Sequence, residues 1–440
     1  MISVAGVRGV VGTSLTPAIA LRFAAAFGAF AGRGRVVVGR DSRLSGPVIQ
    51  QAVEAGLRGA GCDVVRIGIV PTPTVQLMAK LLRARGGIAV TASHNPPQWN
   101  ALKFISGQGL FLTAAQGKQV IAGYHDQTAV SADYQHLGTA CDYPDAIADH
   151  VSRILKLSFI DVASIRRRKF KVVIDTCHGA GGPIFALLLQ KLGCAVISLH
   201  GEPNGKFSRP IEPLAKNLGE LERAVKRHRA DIGFATDADV DRLSIVSEQG
   251  IALGEEYSLA LAAHFMFSRK KGVAVTNLST SRMIDDIAAR HGCRVVRTPV
   301  GEANVVAGMR RYRAGIGGEG NGGIIIPELN HARDASAGIA LILQMLAQAR
   351  RPVSAICATI PRYQMIKQTI SVERPARLLT AIKRSFPGAV IDQRDGIKLL
   401  FPDSWLHVRA SGTEPIVRVI AEAASPLAAR QLIDTVKGLV

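Results

Sequence analysis

Short apolar, β-branched runs alternate along the chain with stretches whose apolar positions recur at helical spacing. Residues 36–38, 172–174 and 273–275 are three such runs, each followed by a polar or glycine turn and then a helix-like segment. Each helix-like segment ends in one signature, Gly61-Cys62-Asp63-Val64, Gly193-Cys194-Ala195-Val196 or Gly292-Cys293-Arg294-Val295, that opens a further apolar run. The recurring unit is strand, turn, helix, Gly-Cys, strand. Crossovers of this kind build parallel sheets with helices on both faces. The pattern therefore predicts three similar α/β domains with mixed, mostly parallel sheets, and places the three cysteines as small buried apolar residues at strand starts.

Beyond Pro361 the pattern changes to a helix-like segment at 376–385, strand-like runs at 397–401, 405–408 and 416–421, and a closing helix. This predicts a small C-terminal α+β domain. The expected domains are 1–145, 146–250, 251–361 and 362–440. No low-complexity linker separates them, so they are expected to pack around a central cleft.

The length of 440 residues suffices for several cores. With 48% hydrophobic and 20% charged residues, wholesale disorder, collagen and coiled coil are excluded. The apolar stretch at 18–31 is interrupted by Arg22 and is too short to span a bilayer, so it reads as an amphipathic helix. The six cysteines form neither CxxC pairs nor a disulfide framework, which suits a reducing, cytoplasmic setting. A net charge of +20 would suit a nucleic acid, an anionic membrane or an acidic metabolite. The densest basic cluster, Arg166, Arg167, Arg168 and Lys169, lacks interleaved aromatics and reads as solvated surface. Nucleic-acid binding is kept as the competing reading from a different class, with steep salt sensitivity as its mark.

Four loops carry candidate chemistry. Thr91-Ala92-Ser93-His94-Asn95-Pro96 follows the run 87–90, at the carboxyl end of an expected parallel strand, where open α/β sheets bind ligands. A turn whose Ser and Asn cap a following helix is the plainer alternative. The G-x-S-x-G elbow is missing, so acyl hydrolysis is poorly supported. Lys103 is a general acid or base if desolvated and a surface lysine otherwise.

Thr236-Asp237-Ala238-Asp239-Val240-Asp241-Arg242 lies between two apolar runs. In an extended loop this alternation turns three carboxylates toward one point, and a hard cation such as Mg²⁺ relieves their repulsion. An EF-hand would need Gly where Arg242 stands and helices where strands are expected. The glycine loop Gly317-Gly318-Glu319-Gly320-Asn321-Gly322-Gly323 lacks the Lys of a phosphate loop, and its Glu and Asn suit sugar hydroxyls. Arg409-Ala410-Ser411-Gly412-Thr413-Glu414-Pro415, with Arg418 beyond, suits a phosphate dianion. Gly179-Ala180-Gly181-Gly182 has Ile184 where a dinucleotide fingerprint needs its third Gly, so it reads as a structural turn.

Together these loops resemble those of the α-D-phosphohexomutase superfamily, which includes phosphoglucomutase, phosphomannomutase and phosphoglucosamine mutase. One motif per expected domain, in the family's order, extends the resemblance over nearly the whole chain. It implies a four-domain phosphotransferase that interconverts hexose 6-phosphate and hexose 1-phosphate, with glucosamine phosphate as first substrate and mannose or glucose phosphate as runner-up. It further implies a phosphoserine at Ser93, Mg²⁺ held by Ser93, Asp237, Asp239 and Asp241, and a hexose 1,6-bisphosphate as activator and intermediate. Arg8, His94 and Lys103 then serve the transfer. Arg242, Glu319, Asn321, Arg409, Ser411, Gly412, Thr413 and Arg418 bind the substrate. A small-molecule sugar phosphate is the expected partner, to a monomer or homodimer with no membrane association. Many bacterial members carry Ser and His at the positions of Asn321 and Gly323; the form here resembles archaeal-type relatives.

Overall fold

The computed structural model describes residues 2–3, 6–126, 131–410 and 416–440. A seven-stranded sheet runs in the order Ile2–Ser3, Gly6–Val10, Trp99–Ser106, Gly86–Val90, Arg35–Arg40, Asp63–Ile69, Ala140–Asp142. Its last four strands are parallel, Trp99–Ser106 runs antiparallel beside them, and Gly6–Val10 pairs antiparallel with Trp99–Ser106 in turn. Two four-stranded sheets follow: Leu243–Ser247, Ile232–Thr236, Lys171–Asp175, Ala195–Leu199, then Arg294–Thr298, Val273–Asn277, Ile316–Glu319, Gly323–Ile325. Each has three parallel strands and one antiparallel edge strand. The repeated unit read from the sequence is thus present three times.

The antiparallel strand positions the function. In each unit the chain leaves a parallel strand, makes one loop and returns antiparallel: residues 91–98, 237–242 and 320–322 occupy topologically equivalent places. The Ser93, aspartate and glycine loops therefore emerge at carboxyl ends of parallel strands, where strand geometry leaves a crevice.

The helix expected at 18–31 forms as Pro17–Ala31, started by Thr16 accepting from the Ile19 N–H and by Pro17 in the first turn. Its buried Phe27 stacks on Phe104 of the sheet, with ring centroids 5.1 Å apart. The basic residues 166–168 end the helix Val162–Arg168, and the Arg166 guanidinium bonds the Lys191 carbonyl. They are exposed and favourably placed against the helix dipole.

Two expectations need correction. Cys62 is buried, but Cys194 and Cys293 are only half-buried. The strands they precede, Ala195–Leu199 and Arg294–Thr298, are sheet edges, whereas Asp63–Ile69 is covered by Ala140–Asp142. In the C-terminal part the structure adds Gln364–Ser371 and Val390–Asp392 to the strands read from sequence. They flank an all-antiparallel sheet ordered Gln364–Ser371, Ile416–Ala423, Ser404–Ala410, Ile397–Leu400, Val390–Asp392. Half-exposed edges carry a diluted apolar signal; Val390 is 67% exposed.

One apolar core runs continuously from Val37 through Phe234 to Ile360, while the C-terminal sheet keeps its own around Leu406 and Val419. That sheet meets the rest of the protein through polar contacts. Lys398 Nζ donates to the Leu278 carbonyl (2.5 Å), Val300 N–H to Asp395 (2.8 Å) and Arg282 N–H to Glu422 (2.9 Å). The buried His407 ring lies 2.9 Å from Ser279 Oγ and 2.7 Å from the Asp395 carbonyl.

Burial, reinforced by Lys398 and Arg409 and opposed by Asp395, lowers the His407 pKa to about 4. The folded protein thus keeps His407 neutral where the unfolded chain would protonate. Its contribution to stability is present above about pH 6.5 and is lost as pH falls through 4, on the order of 3 kcal/mol in full. Unfolding midpoints between pH 6.5 and 4 should fall more steeply for wild type than for His407→Gln. Parallel curves would refute this.

Candidate active site

The Ser93 loop is built around a buried arginine. Arg43 threads it, donating to the carbonyls of Ser93 (2.7 Å), Asn95 (2.8 Å), Pro96 (2.8 Å) and Trp99 (3.0 Å), while its Nε pairs with Asp41 at 3.0 Å. Thr91 Oγ donates to Asp41 and accepts from the Ser93 N–H. This scaffold holds Ser93 at φ +50, a left-handed conformation that a non-glycine residue adopts at a cost and that clusters at functional sites. The helix-capping alternative is not what forms, because the next element is the strand Trp99–Ser106. Ser93 Oγ donates to Asp237 Oδ2 at 2.8 Å and lies 3.3 Å from His94 Nδ1. Burial, aided by the Arg242 charge, lowers the His94 pKa to about 4.

The aspartate loop is a tight turn, not the extended segment expected. Val240 sits at φ +64, and Asp237 Oδ1 accepts from the N–H groups of Asp241 and Arg242. Three distant segments pin it through its carbonyls: Ala180 N–H to Ala238, Thr72 N–H to Asp239 and Ala335 N–H to Val240. The turn still brings the three carboxylates together, with one oxygen of each within 4.8 Å of the others, all buried. Lys103 Nζ pairs with Asp239 at 2.6 Å and Asp241 at 3.5 Å, so it is no surface lysine.

Charge in this cluster is unevenly compensated. Burial and the neighbouring Asp241 and Asp239 push the Asp237 pKa well above the carboxylate range. Burial also works on Asp241, but Arg333, Lys103 and Arg242 outweigh it and hold that pKa low. For Lys103, burial is outweighed by Asp239 and Asp241, which raise its pKa and keep it charged. Oδ1 of Asp239 and Oδ1 of Asp241 are buried with no hydrogen-bond partner among the described residues. Buried oxygens without a hydrogen-bond partner, beside a carboxyl of raised pKa, suit a hard dication with oxygen ligands.

A cleft of about 890 Å³ opens over this cluster and is lined by Arg8, Ser93, His94 and Lys103. The register that places Arg8 opposite Ala101 and Gly6 opposite Lys103 carries Arg8 to it, and Arg8 Nη1 donates to Asn95 Oδ1 at 3.1 Å. Glu319, Asn321, Arg242, Arg409 and Arg418 line other walls. Glu319 accepts from Asn277 Nδ2 (2.7 Å) and the Gly301 N–H (3.0 Å), and Asn321 Oδ1 from the Gly323 N–H (3.2 Å). Arg409 and Arg418 stand opposite each other on paired strands, with Asp395 Oδ2 2.8 Å from Arg409 Nε. Arg8's pKa is lowered by burial and then by Arg242 and Arg418. Such convergent cationic charge favours an anion at that end of the cleft. Ser411, Gly412 and Thr413 lie outside the described residues.

Sequence reasoning missed Arg43, Glu212, Glu302 and Arg333. Glu212 pairs with Arg242, and Arg333 pairs with Asp241, Glu302 and Glu319. Isolated charged residues far from the motifs carry no periodic or spacing signal. Arg333, just before the Asp334 cap of the helix Ala335–Ala349, was findable only as an arginine at a helix start, where an acid is usual.

Four family models match in order: phosphoglucomutase/phosphomannomutase alpha/beta/alpha domain I over residues 2–131, domain II over 148–250, domain III over 254–363, and the C-terminal domain over 368–439. The chain belongs to the phosphoglucomutase/phosphomannomutase family. A phosphoglucomutase/phosphomannomutase from Thermococcus kodakarensis is 36% identical over 439 residues, covering 98% of this chain and 96% of the relative. A probable phosphoglucosamine mutase from Methanopyrus kandleri is 36% identical over 437 residues, covering 98% and 95%. The crystal structure of a phosphoglucomutase/phosphomannomutase family protein from Burkholderia thailandensis superposes with a TM-score of 0.88 at 28% identity, covering 100% of this chain and 97% of that one. As a family member the protein is an enzyme, a phosphohexomutase. Among the described residues no helix is long and apolar enough to cross a membrane.

Proposed function

We propose that the protein interconverts hexose 6-phosphate and hexose 1-phosphate through a phosphoserine at Ser93 and a hexose 1,6-bisphosphate, with glucosamine phosphate as its first substrate. The observation that carries the reading is the Ser93 hydroxyl donating to Asp237 at 2.8 Å, in a strained loop beside three buried aspartates and below an arginine-lined cleft. The four parts of the enzyme, 1–145, 146–250, 251–361 and 362–440, each contribute one loop to that cleft. Asp237, Asp239, Asp241 and an oxygen on Ser93 would hold Mg²⁺, which supplies neutralisation of the charge that builds on the transferring group.

In the transfer, a hexose hydroxyl oxygen forms a bond to phosphorus as the Ser93 Oγ–phosphorus bond breaks. The hydroxyl proton is lost and Ser93 Oγ gains one, so the step balances. Lys103 and His94 are the titratable groups beside Ser93 suited to move these protons. Charged Lys103 and Arg8 also offset negative charge on the equatorial oxygens. Glu319 and Asn321 hold sugar hydroxyls in either orientation. Arg409 and Arg418, with Ser411, Gly412 and Thr413, hold the phosphate that is not being transferred. The excess of arginine draws an anionic sugar phosphate into the cleft.

Glucosamine phosphate ranks first because several relatives, the Methanopyrus kandleri one among them, are probable phosphoglucosamine mutases; mannose and glucose phosphates rank second on the likeness to the Thermococcus kodakarensis phosphoglucomutase/phosphomannomutase. A coupled assay with Mg²⁺ and a bisphosphate activator, run across glucosamine, glucose, mannose and N-acetylglucosamine phosphates, should give the highest kcat/KM for glucosamine phosphate. A higher value for glucose or mannose phosphate would reverse the order, and turnover of none would defeat the assignment.

A further inference from the structure

We propose that Arg333 is a positioning residue that sets the distance between the aspartate loop and the glycine loop, and that Gly323 is glycine to let it pass. The inference rests on the mutase reading above. Arg333 spends each guanidinium nitrogen on a different carboxylate: Nη2 on Asp241 at 2.7 Å, Nε on Glu302 at 2.8 Å and Nη1 on Glu319 at 3.2 Å. These acids come from three separate places: the aspartate loop, the helix Glu302–Tyr312 and the end of the strand Ile316–Glu319. Only a planar fork with divergent donors can serve all three at once; a lysine ammonium is a single point.

The residue is itself rigidly held. Its backbone bridges to Ile325, and the next residue, Asp334, donates its N–H to the Ile324 carbonyl, caps the helix Ala335–Ala349 and contacts His150 at 2.7 Å. The side chain then runs over Gly323, where an added Cβ would stand 2.3 Å from Arg333 Cδ. The first residue after the aspartate loop also touches the glycine loop, the Leu243 N–H donating to the Gly322 carbonyl. Arg333 adds the side-chain tie that registers Glu319 against Asp241. In a reaction whose sugar must present either end in line with Ser93, a misplacement of about 1 Å is enough to slow transfer on the order of 100-fold.

Arg333→Lys keeps a cation among the carboxylates, and Gly323→Ala displaces the arginine without removing it. For both, three quantities are read against wild type: the thermal midpoint, the final extent of Ser93 phosphorylation by glucose 1,6-bisphosphate from intact mass, and kcat per phosphorylated chain. Positioning predicts that the extent is kept and that kcat per phosphorylated chain falls, about 100-fold for Arg333→Lys and less for Gly323→Ala, beyond whatever midpoint is lost to carboxylates left unpaired. Unchanged kcat per phosphorylated chain in Arg333→Lys would overturn the inference. So would losses confined to midpoint and extent, which would mark Arg333 as structural only. If wild type turns over its sugar phosphate while Arg333→Lys matches it, this inference alone fails; a wild type inactive on every sugar sinks the mutase reading with it.

Discussion

Ser93→Ala should lose mutase turnover by about 10⁴-fold or more, as expected when a covalent nucleophile is removed, and should accept no phosphate from glucose 1,6-bisphosphate. The variant should nevertheless fold. The contacts that hold the loop use the Ser93 backbone: its N–H donates to Thr91 Oγ and its carbonyl accepts from Arg43. Among the described residues the deleted hydroxyl satisfies only Asp237 Oδ2 and neighbours His94. Intact mass and the coupled assay check both halves. Turnover equal to wild type would eliminate Ser93 as the phosphoryl carrier.

The second large effect concerns the aspartates. Chelation should bring turnover to background, and restored Mg²⁺ should recover it. A dication bound by the folded cluster and not by the unfolded chain should also stabilise the protein, by about 2.7 kcal/mol at 100 times its Kd. Asp237→Asn separates charge from shape. The amide oxygen can still accept from the Asp241 and Arg242 N–H groups, as Asp237 Oδ1 does. A neutral amide removes the burial penalty and the repulsion from Asp241 and Asp239 that together raise the Asp237 pKa. Without Mg²⁺ this variant should therefore be at least as stable as wild type, yet its midpoint should no longer rise with Mg²⁺, and turnover should collapse. A midpoint rise as large as that of wild type would show that the ion does not sit at Asp237.

Much of the architecture was legible because strand and helix periodicities are local. The runs at 36–38, 172–174 and 273–275 became central parallel strands, and the three Gly-Cys signatures marked helix ends. The aspartate spacing was legible for a similar reason, since like charges so close in sequence cannot be scattered by any fold. What failed was also local in cause. Gln364–Ser371 breaks the polar–apolar alternation of a strand at Met365-Ile366 and Lys367-Gln368-Thr369 and lies on a half-exposed edge, and Cys194 and Cys293 precede strands at sheet edges.

By itself, then, the order of residues determined the repeated α/β unit, the four loops and the identity of the acids, hydroxyl and arginines they carry. It could not determine that the Ser93 loop is wound about Arg43, or that one guanidinium joins Asp241, Glu302 and Glu319. Nor could it show that the aspartate turn is fastened by backbone N–H groups from residues 72, 180 and 335. Those contacts link positions tens to hundreds of residues apart. They depend on distance in space, and that is set only when the sheets pack together and exclude the water that would otherwise satisfy each charge alone.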